Sequence, residues 1–173
     1  MKVCISGLTA SGKTTVSEAL SKELGVTHVQ NSYKAYLRDN RGLADFIDKT
    51  DEDFVREFDK RTVEMSNEGD CVVSTWLSPW LIKDADLRVW LYAPLDIRVK
   101  RYMARENVER ERAERTVLEI DSSATQSFKK FYNIDISELE MFDMHINTAR
   151  SDVQDTVALI SLAVMKSDKS RFR

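Results

Sequence analysis

The sequence predicts an α/β fold: a doubly wound parallel sheet with helices on both faces. Three observations carry that prediction. Five strand-like apolar runs alternate with helix-like segments along the 173 residues. Such alternation calls for parallel strands joined by right-handed helical crossovers. The stretch GLTASGKTT, residues 7–15, stands between the first apolar run and the first helix-like segment, at a strand's carboxyl end, where this architecture binds ligands. Finally, 42% hydrophobic and 32% charged residues suit one globular domain with a single core and argue against disorder.

The elements follow in order. KVCIS (2–6) is a buried strand. Residues 13–24 carry Val16, Ala19, Leu20 and Leu24 at a helical period, and Gly25 is a good C-terminal stop. VTHVQ (26–30) is a short strand and 33–39 a short helix, broken at Asn40–Gly42. Asp53 is the expected cap of an amphipathic helix over 54–68, with Phe54, Val55, Phe58, Val63 and Met65 near helical spacing. A Gly69–Asp70 turn leads into the strand CVVST. LRVWLY (87–92) is the next strand and stops at Pro94. One long charged helical stretch is expected from about Leu95 to Tyr132. MHINT (144–148) is a last short strand, and Asp152 opens a final helix.

Composition narrows the function. A net charge of −3 gives no global pull toward nucleic acid, so an anion site must be built locally. Cys4 and Cys71 lie in apolar runs and are expected to be buried free thiols of a reducing compartment. His28 and His145 stand alone, and no Cys/His cluster suggests zinc. No stretch has membrane-spanning length, and a polar loop interrupts the N-terminal apolar run at once, so a cytoplasmic location is expected.

The loop carries the strongest chemical signal. Gly7, four residues, Gly12, Lys13 and Thr14 have the spacing of a phosphate-binding loop. Glycines permit close backbone approach, so the N–H groups of Leu8, Thr9, Ala10, Ser11 and Thr15 can converge on phosphate oxygens beside a positive helix end. Lys13 can reach the β- and γ-phosphates, and the Thr14 hydroxyl can meet magnesium. A nucleotide polyphosphate with Mg2+ is therefore the expected ligand. A GTP switch would carry an Asn/Thr-Lys-x-Asp motif after a strand, and none is present. Phosphoryl transfer to a second substrate needs a row of cations instead. Arg98, Arg101 and Arg105 recur at three- and four-residue spacing on one helix face. Arg112 and Arg115, interleaved with glutamates, fit a solvated helix laced with ion pairs equally well.

On these residues the sequence resembles the small nucleoside monophosphate kinases, most closely the archaeal-type cytidylate kinases. The segments that carry the resemblance are ISGLTASGKTTV, FVREFDKRTVE, GDCVV, DADLRVWLYAPLDIRVKR, FYNIDI and FDMHINTAR. It runs from Met1 to about Val164. It implies a five-stranded parallel sheet of the P-loop type in a single domain, 1–173. Acceptor-side helices would occupy about 33–68, and a mobile helical lid about 105–131. It implies that the nucleotide is ATP, with transfer of the ATP γ-phosphoryl group to CMP or dCMP, a small-molecule nucleotide substrate, by a monomer or homodimer without nucleic-acid or membrane partners. By resemblance, Arg38 grips the monophosphate, Asp59 and Arg61 face the base, and Arg98, Arg101 and Arg105 enter the lid as catalytic cations with Lys13.

Other positions depart from the family pattern. Where the family reads Glu-Gly-Arg-Leu-x-Gly-Trp, this chain has Ser74-Thr75-Trp76-Leu77-Ser78-Pro79-Trp80. Where a later arginine-rich run is usual, it has Ser123-Ala124-Thr125-Gln126-Ser127-Phe128. An acidic support for magnesium and three phosphate-facing arginines are thus replaced, at Ser74 and at Trp76, Thr125 and Ser127. Lys34, Lys129 and Lys130 are the available substitutes, although lysine lacks a bidentate guanidinium grip. Trp76 and Trp80 are either base-stacking or core residues. Three functions follow: a nucleoside monophosphate kinase, an ATP-binding protein of this fold without that activity, and a kinase for another small acceptor.

Overall fold

The computed structural model describes residues 1–37 and 42–167. Arg38, expected to grip a monophosphate, lies outside the described residues. Five parallel strands form one sheet: β1 (Lys2–Ser6), β2 (Thr27–Val29), β3 (Cys71–Ser74), β4 (Leu87–Tyr92) and β5 (Met144–Asn147), in the order β2-β3-β1-β4-β5. β1 is central. Cys4 is in register with Val73 on one side and Arg88 on the other.

The helices are α1 (Lys13–Leu24), α2 (Leu43–Lys49), α3 (Glu52–Ser66), α4 (Ser78–Leu81), α5 (Leu95–Glu106), α6 (Arg110–Tyr132) and α7 (Val153–Ser167). Strand side chains alternate across the sheet and are buried on both faces, as parallel strands require. Val3, Ile5 and Val72 pack with Val16 and Leu20 of α1 and with Val157 and Ile160 of α7. Cys4, Cys71 and Val73 turn the other way, toward Ile82 and Val63. Both cysteines are free and buried. A third cluster joins Tyr33, Ile47, Phe58 and Leu77 to Ile120, Ala124 and Phe128 of α6. Among the described residues no helix is long and apolar enough to cross a membrane.

Four local expectations need correction. Residues 33–36 form a 3-10 turn that ends at Leu37 in extended backbone, in place of the helix expected over 33–39; residues 38 and 39 lie outside the described residues. The cap of α3 is Asp51, whose carboxylate accepts from Phe54 N at 2.8 Å, not Asp53. Two acidic residues on one turn made the caps indistinguishable by type alone. The single helix over 95–132 is two, because Asn107 takes a left-handed conformation (φ 52°) and ends α5; asparagine adopts that conformation more readily than most residues. No local periodic pattern predicts α2, which falls within the expected acceptor-side region, or α4. Both are short, and tertiary burial of Ile47, Leu77 and Pro79 supports them more than any long periodic pattern.

The segment 105–131, expected from the resemblance as a lid, is unevenly buried. Arg110, Glu111 and Arg112 are exposed, but Val117, Ile120, Ala124 and Phe128 are fully buried. Charge density suggested a weakly anchored segment. The apolar residues recurring every three or four positions from Val117 onward instead bind that half of α6 into a core.

Candidate phosphate-loop and acceptor site

The loop after β1 takes its shape from its glycines. Gly7 has φ +149°, and a Cβ there would lie 2.3 Å from the backbone oxygen of Leu91 and 2.6 Å from Ser11 Oγ. Gly12 (φ +103°) caps α1 without a side chain, so no side-chain acceptor covers the helix's first amides. Ala10 is held at φ 60°, strain of the kind that tightly held functional loops retain.

Lys13 Nζ donates to Gly7 O at 2.5 Å and Leu8 O at 2.9 Å and sits 5.6 Å from the centre of the Trp76 ring. Burial pulls its pKa down to about 7; Asp121 opposes this, while Arg98 and Arg105 add to it. The buried hydroxyls of Thr9 and Ser11 have no hydrogen-bond partner among the described residues. Uncovered helix amides, a lysine and free hydroxyls on one loop suit a polyphosphate. Thr14 is exposed, its hydroxyl 3.4 Å from Gln30 Nε2. Ser74, in place of the acidic residue expected from the resemblance, lies 2.9 Å from His28 Nε2 through its Oγ. Among the described residues no group of three or more acidic, His or Cys side chains is placed to hold a metal.

The three arginines expected on one phosphate-facing row behave differently from one another. Arg98 is buried; its Nη1 donates to Asp121 Oδ2 at 2.6 Å and Thr9 O at 3.1 Å, and Asp121 Oδ1 accepts from Thr9 N at 2.9 Å. Arg101 donates to Thr148 O at 2.6 Å, Thr148 Oγ1 at 2.9 Å and Ala10 O at 3.4 Å. Thr148 Oγ1 in turn donates to Ser11 O at 2.8 Å. Both guanidiniums therefore brace the loop's backbone from α5. Arg105, one turn on, is free of the loop. Its Nε donates to Glu106 Oε1 at 2.7 Å, and it lies 5.0 Å from the centre of the Tyr102 ring.

The loop opens onto a cavity of about 390 Å3, lined by Lys13, Thr14, Lys34, Asp59, Trp76 and Arg105 among others. That volume lies within the usual range for small-molecule sites. Its apolar wall is aromatic: Tyr33 and Phe58 have ring centres 4.3 Å apart, and Trp76 stands edge-on to Tyr33 at 6.3 Å and Phe128 at 5.9 Å. Asp59 is the buried acid of this wall. It accepts from Tyr132 Oη at 2.8 Å. Burial raises its pKa to about 6, against the opposing effect of that hydrogen bond.

Arg61, paired with Asp59 in the sequence expectation, is exposed and does not line the cavity. Residues two apart lie on opposite sides of a helix, so α3 cannot turn both inward. Trp76 lines the cavity, whereas Trp80 packs on Phe142 at 5.2 Å. Of the other departing positions, Thr125 donates to Asp121 O at 2.7 Å, and Ser127 is buried beside a separate cavity of about 700 Å3 between α2 and α6, which Lys130 also lines. Among the lysine substitutes only Lys34 lines the cavity at the loop. Residue patterns missed Asp121, Tyr132, Thr148 and Glu106. Apart from the neighbouring Arg105–Glu106 pair, their roles come from contacts across 23 to 137 positions of sequence, which no local spacing announces.

Residues 28–150 match the model of the cytidylate kinase-like family. The chain is 29% identical over 167 residues to a cytidylate kinase of Pyrococcus horikoshii, covering 94% of this chain and 87% of that one. It is 31% identical over 172 residues to a cytidylate kinase of Haloarcula marismortui, covering 95% and 89%. Among solved structures it is similar to shikimate kinase from Acinetobacter baumannii in complex with shikimate, with a TM-score of 0.60 at 17% identity over 97% of this chain and 94% of that one. At that identity the likeness concerns the fold.

Proposed function

The chain belongs to the cytidylate kinase-like family, and from that premise we propose that it transfers the ATP γ-phosphoryl group to a nucleoside monophosphate, CMP first. One observation carries this most: the complete phosphate loop opens directly onto the 390 Å3 cavity holding Asp59, Lys34 and Arg105. ATP supplies the transferable phosphoryl group, and Mg2+ offsets the charge of its phosphates.

Each residue then has a task. The amides of Gly7–Thr15 and Lys13 hold the donor phosphates, and Thr14 offers its hydroxyl to Mg2+. Arg98 and Arg101 keep the loop in register through Asp121, Ala10 and Thr148. Such positioning and charge placement supply most of the acceleration in phosphoryl transfer. Arg105 is the arginine of the row left to face the cavity and the phosphates bound in it. The Asp59 carboxylate, held by Tyr132, receives the amino group of the base, and the aromatic wall takes its faces. Arg38 joins the acceptor phosphate by family resemblance. Arg61, exposed on the far side of α3, is a base contact only if α3 rotates. The exposed first part of the 105–131 segment closes over the donor as a lid and excludes water. Donor and acceptor are small soluble nucleotides, and the resemblance supports reading the chain as a cytoplasmic monomer or homodimer.

One observation favours a second reading, a kinase for another small acceptor: Trp76 fills a wall where the family places an arginine. A coupled assay of ADP release against a panel of nucleoside monophosphates separates the two. Turnover fastest on CMP is expected. No turnover on any monophosphate, with ATP still bound, would overturn the proposal.

A further inference from the structure

We infer that Lys34 and Arg105 form the acceptor-phosphate grip of this chain, and that Glu106 is a carboxylate which holds both cations until the phosphate displaces it. The inference rests on the proposed monophosphate transfer and deepens it. Lys34 Nζ and Arg105 Nε both donate to the same oxygen, Glu106 Oε1, each at 2.7 Å. Lys34 comes from the 3-10 turn on the acceptor side and Arg105 from the last turn of α5. Glu106 therefore ties the two sides of the cavity together. Both cations line that cavity with Lys13 and Thr14, whereas Glu106 does not.

Charge explains why the tie can be exchanged. Two cations face one carboxylate, which leaves a net positive charge at the mouth. A nucleoside monophosphate carries close to two negative charges and offers more acceptor oxygens. Glu106 also ends α5 at its negative pole, where a carboxylate is disfavoured unless cations hold it. The three side chains are 31% to 48% exposed, so the pairs are weak and a released Glu106 is readily solvated. Trp76, Thr125 and Ser127 bring no charge to the site, so Lys34 and Arg105 supply what those positions do not. Glu106 acts through the two cations and is a positioning residue.

Binding of CMP and of cytidine, measured by calorimetry on the full chain, isolates the phosphate. The parent is expected to bind CMP at least about tenfold more tightly than cytidine, as charged hydrogen bonds of ordinary strength require. The Lys34→Met/Arg105→Met double variant should lose most of that preference, Arg38 retaining a part, and keep its cytidine affinity and its thermal midpoint. Glu106→Gln should bind CMP several-fold more tightly, because the competing charge is gone, with cytidine unchanged. A parent that does not distinguish CMP from cytidine overturns the inference, as does a double variant that keeps the preference. Unchanged or weakened CMP binding by Glu106→Gln overturns the exchange and shows a fixed structural bridge. Turnover is scored separately. Preference for CMP without turnover on any monophosphate sinks the phosphotransfer proposal and leaves the grip standing. Turnover with an intact preference in the double variant sinks the grip alone.

Discussion

The donor loop carries its geometry in one continuous stretch, residues 7–15. The cavity beside it draws its walls from the 33–36 turn, α3, the end of β3, α5 and α6. The loop's conformation follows from backbone freedom at Gly7 and Gly12 and from the start of α1. The cavity depends on which faces several helices turn inward. The difference teaches where change is tolerated. A substitution at Gly7 meets backbone, the nearest obstacle being the Leu91 carbonyl. A substitution in the cavity meets side chains that can repack. One fold can therefore keep its donor chemistry while its acceptor chemistry shifts.

The sharpest way to break this comparison is at the loop. Lys13→Ala should weaken nucleotide binding and lower any phosphoryl transfer by at least about 10²- to 10³-fold, the scale for losing a charge-stabilising donor. Gly7→Ala should be as severe through backbone collision. Titration with an ATP analogue and the ADP-release assay read both. Nucleotide binding by Lys13→Ala equal to the parent's would show that the loop is not the donor site.

The Arg98–Asp121 pair joins the two regions and tests their independence. Asp121→Ala leaves Arg98 buried without its partner and Thr9 N without its acceptor, and should destabilise the chain by about 3–5 kcal/mol in urea unfolding. Arg98→Met combined with Asp121→Leu should recover part of that loss. Equal destabilisation by the single and double changes would mean that packing, not charge, governs the site.

On the acceptor side, Asp59 gives a pH-dependent test. Its folded pKa, about 6, lies above the unfolded carboxylate value. Its contribution to stability is thus most favourable below the unfolded pKa and declines as pH rises through about 6. Asp59→Asn should therefore raise stability near neutral to mildly alkaline pH by up to about 3 kcal/mol, and change little near pH 4. Thermal melts across pH decide this. The same variant should lose discrimination among bases, a cost a merely structural residue would not show.

Lys13 gives a smaller effect at the donor loop. Its pKa, near 7 in the protein, should rise against a bound phosphate, so nucleotide binding takes up a proton above neutral pH. Affinity should fall about tenfold between pH 6 and 8. Calorimetry in buffers of different ionisation enthalpy counts the proton. The smallest effect is expected far from both regions. Lys22→Ala breaks only the exposed Lys22–Glu18 pair of α1 and should leave the unfolding midpoint within error.

The sequence alone determined the strands, the loop and the parallel α/β class. Each depends on local information: a period of two or of three to four, a glycine before a helix, an apolar run long enough for one buried strand. Burial within the sheet then agreed with what the pattern required. Tertiary structure decided which polar residues act. Asp59 and Arg61 are both charged residues of one helix, two positions apart, yet α3 can turn only one of them toward the cavity. Arg98, Arg101 and Arg105 share a helix face in sequence, yet Asp121 and Thr148 claim the first two and leave the third to Glu106. The physical reason is that a side chain's role at a site depends on its partner, and here the partners lie on other elements, where neither propensity nor periodicity extends.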